Sequence, residues 1–303
     1  MSSSNFFLAI GIILALMLVP VVVMILVRFL IKDEEPIEET VTVEPTMQFD
    51  SLKDFWQSNV PHLLELRDRL IKALVGVGIG TILGSYIVFG RPFGKSLLTI
   101  LRDQFAPGVT LQGIAVAELF VSQMGVALVI GIAIAMPIIV YQIVAFFVPA
   151  LYAAEKRMVF TALPFVFELF LAGLVFGWFF TVPAAIGWLT TVGAAEGVVI
   201  QPSVADFLKT FSMLMLWNGI IFELPAIIFL LARLGVVNTQ MLSSTRRYAI
   251  VIIVIVAAVI TPTGDPFNLL LLAVPMYLLY EMGIVLSRFV PRSPAPTAPA
   301  AAD

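Results

Sequence analysis

Apolar residues run almost unbroken for about twenty positions at a time along this chain, and the interruptions are short and charged. About 20 apolar residues is the length of helix that crosses the hydrocarbon core of a bilayer. A membrane β-barrel would instead show alternating segments of about 10 residues. The pattern therefore predicts an all-α integral membrane protein. The first run covers residues 6–31. Six further spans are expected at about 70–89, 119–147, 159–189, 211–231, 248–260 and 267–286. The last two are short, so they cross thinned lipid or stand shielded by neighbouring helices.

The segments between the spans divide the chain. Residues 1–32 form an extra N-terminal anchor. A cleaved signal peptide fits poorly: no Lys or Arg precedes the run, it is too long, and no small-residue cleavage site follows. Residues 33–54 hold Glu34, Glu35, Glu38, Glu39 and Glu44 with two prolines, an acidic tether without helical periodicity. From residue 52 to 69 the pattern is amphipathic, with Phe55, Trp56, Val60, Leu63, Leu64 and Leu66 near helical spacing. Such a segment is expected to lie at the membrane interface, with Pro61 restarting the helix as a first-turn proline. The six-span core occupies residues 55–289. The Pro/Ala-rich tail, 290–303, is expected to be disordered.

Composition agrees. Of 303 residues, 60% are hydrophobic and 12% charged, and the mean hydropathy is +1.06. Soluble domains carry about 25% charged residues. A cytosolic enzyme, a disordered chain and a fibrous one are excluded. A net charge of −3 gives no reason to expect nucleic acid as a partner. There is no Cys, and His62 is the single His, so neither disulfides nor a Cys- or His-based metal centre is expected.

Basic residues orient the spans. Arg91, Lys95, Arg102 and Lys209 fall in segments on one side, and the other 13 of the 17 Lys and Arg fall on the opposite side or at its span ends. The side rich in Lys and Arg is cytoplasmic. Both ends of the six-span core are then cytoplasmic. Arg28 and Lys32 close the first run, which places the extra N-terminus outside. The protein is expected to be multi-pass in the cytoplasmic membrane.

A carboxylate at mid-span costs about 2.5–3.5 kcal/mol on insertion scales, so those that occur are informative. Three glutamates sit inside apolar runs: Glu168, Glu223 and Glu281. Glu223 lies midway along its span in Phe222-Glu223-Leu224-Pro225, where Pro225 removes a backbone donor and frees a carbonyl. It is a candidate contact for a partner or a transported group; the bland reading is a protonated Glu bonded to a neighbouring helix. Glu281, beside Tyr280 near the inner end of the last span, reads as an interfacial anchor or a helix–helix contact.

At the inner surface, Glu65 follows His62 by three residues and precedes Arg67 and Arg69. Glu155, Lys156 and Arg157 occupy a short turn. Two surface carboxylates suit forked, charge-assisted pairs with guanidinium groups. The competing reading is neutralisation by the adjacent basic residues. Asp265, between Pro262 and Pro266, reads first as a turn former. Gly76, Gly78, Gly80 and Gly84 offer small faces for close helix approach, a packing signal. No Ser-His-Asp set, paired histidines or phosphate-binding glycine loop is present, so no enzyme activity and no cofactor are expected.

Several segments together resemble the TatC family, the multispanning subunit of the twin-arginine protein translocase. The opening motif is His62-Leu63-Leu64-Glu65-Leu66-Arg67-Asp68-Arg69-Leu70. The resemblance continues through Pro137-Ile138-Ile139-Val140-Tyr141-Gln142 and Phe147-Val148-Pro149-Ala150-Leu151-Tyr152-Ala153-Ala154-Glu155-Lys156-Arg157. It runs on in Gly173-Leu174-Val175-Phe176, Phe222-Glu223-Leu224-Pro225 and Ile260-Thr261-Pro262-Thr263-Gly264-Asp265-Pro266-Phe267. It closes in Ala273-Val274-Pro275-Met276-Tyr277-Leu278-Leu279-Tyr280-Glu281.

The resemblance implies a concave six-helix bundle, here with one extra N-terminal transmembrane helix. It implies a receptor for signal peptides bearing two consecutive arginines, bound by Glu65 and Glu155, with Glu223 meeting single-span TatA-like and TatB-like subunits. His62, Leu66, Arg67, Pro149, Leu151, Tyr152, Arg157, Pro225, Asp265 and Glu281 belong to the supporting motifs. Self-association in a receptor complex, contact with membrane lipid, and outward movement of folded proteins on the proton-motive force are also implied. The chain departs from the family pattern in its extra anchor and at Leu269, Asn218, Trp178 and Glu168. Two other classes compete: a proton- or cation-coupled small-solute transporter using the intramembrane glutamates, and a membrane scaffold.

Overall fold

A computed structural model describes residues 52–90, 95–147, 163–192, 197 and 201–289. The predicted extra anchor, nearly all of the acidic tether and the C-terminal tail lie outside them.

Helix α1, Leu52–Phe89, has 38 residues and is about 57 Å long at 1.5 Å per residue. It runs straight through Pro61, where the pattern suggested a surface segment and a fresh start. A proline inside a helix removes one donor, and here helix-forming residues on both sides carry the helix across that gap. A short helix, α2 (Leu97–Phe105), follows; it was not anticipated. Ser96 caps it, its hydroxyl accepting the Thr99 N–H at 3.3 Å. Leu101 and Phe105 are buried, and the Phe105 ring meets Trp178 edge-on with centroids 4.9 Å apart.

Helix α3, Glu118–Phe147, contains Pro137. The next rod, Leu163–Thr191, is α4 (Leu163–Phe176), a π-helical turn (Gly177–Thr181) and α5 (Val182–Thr191). The rod Val204–Arg233 is broken at Glu223 into α6 (Val204–Phe222) and α7 (Leu224–Arg233). Then come α8 (Thr239–Ser244), α9 (Arg246–Ile260) and α10 (Pro266–Ser287).

Among the described residues, five rods are long and apolar enough to cross a membrane: His62–Phe89, Glu118–Phe147, Leu163–Thr191, Val204–Arg233 and Pro266–Ser287. They overlie five of the predicted core spans. The sixth, α9, has 15 residues, about 22 Å, short of the roughly 30 Å hydrocarbon core. The brevity expected of the last two spans therefore holds for α9 alone: α10, with 22 residues, is about 33 Å long and suffices to cross.

The helices pack around a central group of three, α3, α4 and α6. α1 lies along α3; α3 meets α4 and α6; α4 meets α6; α7 packs on α10, and α10 on α9. In the apolar stretch of Val204–Arg233, 56% of residues are buried, against 22% in that of α1, so the first rod is central and α1 marginal. The exposed apolar side chains of α1 and α9 are what lipid requires of outer helices.

Glycine sets the closest approaches. A Cβ on Gly80 would collide with the Gly131 carbonyl oxygen, and one on Gly84 would stand 2.5 Å from the Ala127 carbonyl oxygen. Gly76 faces Ile138 at 3.3 Å, whereas Gly78 meets nothing within 4 Å. The packing stripe is thus 76, 80 and 84, the i, i+4 face, with Gly78 off it. Gly173 gives α4 the same close contact with α6 at the Asn218 backbone.

Candidate functional site

The N-terminal half of α1 holds the first candidate group. Helical spacing puts His62, Glu65 and Arg69 on one face. Arg69 donates from Nε and Nη2 to one oxygen of Glu65, Oε1, at 2.9 and 2.6 Å. The second oxygen, Oε2, lies 3.8 Å from His62 Nδ1. Arg67 points elsewhere and forks onto its neighbour Asp68 at 3.1 and 2.9 Å. Leu66 is exposed. The neutralisation weighed from the sequence is thus present, but only at one oxygen of Glu65.

His62 also stacks on Phe146, with ring centroids 4.3 Å apart and planes 22° from parallel. Phe146 closes α3. The stack therefore fastens Glu65's stretch of α1 to the point where the segment carrying Glu155 leaves α3. Pro149, Leu151, Tyr152, Glu155 and Arg157 lie outside the described residues.

Glu223 occupies the break between α6 and α7. Its backbone is turned (φ −74°, ψ −10°), and Pro225 opens α7, so the break sits where the sequence placed a kink. The side chain is 6% exposed. Neither carboxylate oxygen has a hydrogen-bond partner among the described residues. An uncompensated polar group at this depth is costly. The flanking halves have different neighbours, α6 with α3 and α4, α7 with α10, so Glu223 lies where two packing groups meet.

Glu281 has a full set of partners. Arg246 at the start of α9 donates Nε to Oε1 at 2.7 Å and Nη2 to Oε2 at 2.9 Å, and the Tyr277 hydroxyl adds 2.9 Å to Oε1. This is a helix–helix contact, one of the two readings the sequence allowed. Asp265 caps α10: its Oδ2 accepts the Asn268 N–H at 2.9 Å and its Oδ1 the Asn268 side-chain amide at 2.8 Å. Burial pushes the Asp265 carboxyl up, but these hydrogen bonds outweigh it and hold the group below its ordinary value. Glu168 is half-buried on α4.

Two polar constellations escaped the sequence reading. At the start of α3, Glu118 accepts three backbone N–H groups, from Ile114 at 2.5 Å, Ala115 at 2.9 Å and Ala205 at 2.8 Å. Beside it, the Gln112 N–H donates to Pro202 and its carbonyl accepts from Val204. Together they join the loop before α3 to the start of α6. An acidic residue opening a helix is a local signal; Ala205, 87 positions away, has none. Within the bundle, the Thr181 hydroxyl donates to Asn218 Oδ1 at 3.2 Å, and Asn218 Nδ2 donates to the Leu214 carbonyl at 2.7 Å. Thr181 lies in the π-helical turn, and such turns recur at functional sites.

Comparison with known proteins agrees with this architecture. The profile of the family described as Sec-independent protein translocase protein (TatC) matches residues 61–275. The Sec-independent protein translocase protein TatC of Deinococcus radiodurans is 38% identical over 231 residues, 75% of this chain and 84% of that protein. The corresponding protein of Escherichia coli (strain K12) is 33% identical over 233 residues, 77% and 89% of the two chains. A crystal structure of the twin arginine translocase receptor TatC superposes with a TM-score of 0.64 at 32% identity, covering 76% of this chain and all of that one. A profile match from α1 into α10, relatives above 30% identity over nearly their whole length, and a shared fold establish that this multi-pass membrane chain belongs to the TatC family of protein translocase components.

Proposed function

We propose that the chain is the signal-peptide receptor subunit of a twin-arginine translocase. Glu65 and Glu155 receive the two guanidinium groups of an export signal at the cytoplasmic face. The chain does no bond-making chemistry; its work is binding and assembly. Arginine suits this task because its planar fork donates two hydrogen bonds to a carboxylate, where lysine offers a point charge. The observation that carries the reading is the His62–Phe146 stack, which fastens Glu65 beside the departure of the Glu155 segment while Glu65 Oε2 keeps an open acceptor site. Thirteen of 17 basic residues on one side support a cytoplasmic location for this rim.

In this reading Glu223 is the contact for single-span TatA-like and TatB-like subunits. Its unpartnered carboxyl accepts or donates a hydrogen bond when a polar side chain of a partner helix arrives. The receptor self-associates in the membrane, and export of folded cargo draws on the proton-motive force.

The test is site-specific photocrosslinking of a twin-arginine peptide from positions 65 and 155 in membranes. Wild-type positions crosslink, and the Glu65→Ala/Glu155→Ala double variant loses crosslinking from a neighbouring probe. Undiminished crosslinking in the double variant removes the assignment. The same unpartnered Glu223 favours a second reading, a proton- or cation-coupled small-solute transporter. Uptake of a labelled solute by the purified chain alone in liposomes would replace the receptor reading with that one.

A further inference from the structure

Glu65 and Glu281 are both paired with an arginine, but differently. Arg246 meets Glu281 with one nitrogen on each oxygen and takes up both. Arg69 meets Glu65 with two nitrogens on a single oxygen. The Glu65 side chain is 33% exposed and that of Arg69 24%, so water and an arriving ligand both reach the pair. Among the described residues Oε2 accepts no hydrogen bond, and His62 Nδ1 stands 3.8 Å from it.

We propose that Arg69 is a built-in competitor for the arginine-binding carboxylate. In the resting receptor it holds Glu65 Oε1, and a peptide guanidinium must displace it before engaging both oxygens. This rests on the reading of Glu65 as an acceptor of signal-peptide arginine.

The geometry accounts for each part. The pair is intrahelical, i to i+4, with the Glu on the N-terminal side, the favourable order. It therefore forms without any ligand and keeps a surface carboxylate from standing charged and empty. This pair is half-buried but reached by water, and intrahelical pairs of this spacing are weak, worth about a factor of two in an equilibrium constant. Arg69 is thus displaceable. A guanidinium gains by displacing it, because its fork then spans two oxygens as Arg246 does on Glu281. An ammonium gains little, because one point contact with the open Oε2 is already available while Arg69 stays. The internal arginine consequently weakens binding of the arginine ligand more than that of a lysine ligand.

The experiment measures binding of two fluorescent peptides to the full chain in lipid nanodiscs, one with the twin arginines and one with both replaced by lysine. Arg69→Gln is expected to tighten twin-arginine binding about twofold and leave the twin-lysine peptide unchanged. Arg69→Lys, which keeps the charge and loses the fork, gives a smaller gain. In the Glu65→Gln background the gain disappears. Unchanged or weaker twin-arginine binding in Arg69→Gln overturns the proposal. So does an equal gain for both peptides, or a gain that persists without the Glu65 carboxylate. Glu65→Gln alone answers a separate question: if it binds the twin-arginine peptide as wild type does, the receptor reading of Glu65 fails whatever Arg69 does.

Discussion

Arg246 and Glu281 are joined by a two-oxygen fork that ties the start of α9 to the C-terminal part of α10, 35 residues later in the chain. α9 is short and largely exposed, with Ile253, Ala257 and Ile260 as its buried residues. Little of its apolar surface packs against neighbouring helices to hold it in place. Arg246→Gln and Glu281→Gln are therefore each expected to lower the thermal midpoint by a few degrees in detergent. The double variant should fall no further than the more damaging single one, because both remove the same contact. A thermal-shift double-mutant cycle checks this, and additive losses would show that the two residues act apart.

The glycine stripe makes a sharper pair of expectations. Gly80→Ala puts a methyl group against the Gly131 carbonyl and should destabilise the α1–α3 contact by about 1–3 kcal/mol. Gly78→Ala, two residues away, meets open space and should be neutral or stabilising by up to about 1 kcal/mol, since alanine is the better helix former. Unfolding of the two variants in mixed detergent micelles distinguishes them.

Glu223 is expected to trade stability for function. Replacing it with Leu removes a buried carboxyl that has no hydrogen-bond partner among the described residues, and should raise stability by about 1–3 kcal/mol. The same variant should assemble poorly with single-span subunits and still bind a twin-arginine peptide. Co-purification of the subunits and peptide binding, measured on one preparation, separate the two effects. Lost peptide binding with intact assembly would reverse the roles given to Glu223 and Glu65.

Asp265 links pH to stability through its cap on α10. Its folded-state carboxyl sits below the ordinary value. The cap therefore contributes fully above the unfolded carboxylate range, near pH 4, and its contribution is lost as pH falls through the lower folded value. Asp265→Ala should cost about 0.5–2 kcal/mol at neutral pH. Asp265→Asn retains an acceptor for the Asn268 N–H and should flatten the acid side of the stability curve. Thermal midpoints between pH 3 and 7 for the three proteins decide it.

How far the sequence could be read follows from what lipid demands. Each rod satisfies its own backbone hydrogen bonds, so its place is written in consecutive residues: Glu118–Phe147 and Pro266–Ser287 begin within one residue of the expected 119 and 267, whereas Val204–Arg233 and His62–Phe89 begin before the expected 211 and 70, where polar residues interrupt the apolar run. The break at Glu223 was legible for the same reason, because Pro225 removes a donor from its own helix. Helix α2 was not legible. It has nine residues and lies outside the apolar runs; its local signal, Ser96 as a cap before Leu97, Leu98, Leu101 and Phe105 at helical spacing, is short, and its place is fixed only when Phe105 meets Trp178. The motifs around Glu65, Glu223 and Asp265 pointed to a family, and the family match bears that out.

By itself the sequence determined a membrane chain of helices, the place of its long rods, the helix break and the run of small glycine positions, because each depends on residues one or a few turns apart. Only the tertiary structure decided which polar groups meet: Glu281 with Arg246, Thr181 with Asn218, Glu118 with the Ala205 backbone, His62 with Phe146, and Glu223 with nothing among the described residues. Those pairings depend on which helices become neighbours and at what rotation. That is set by packing between helices over the whole bundle, and no fixed spacing along the chain encodes it.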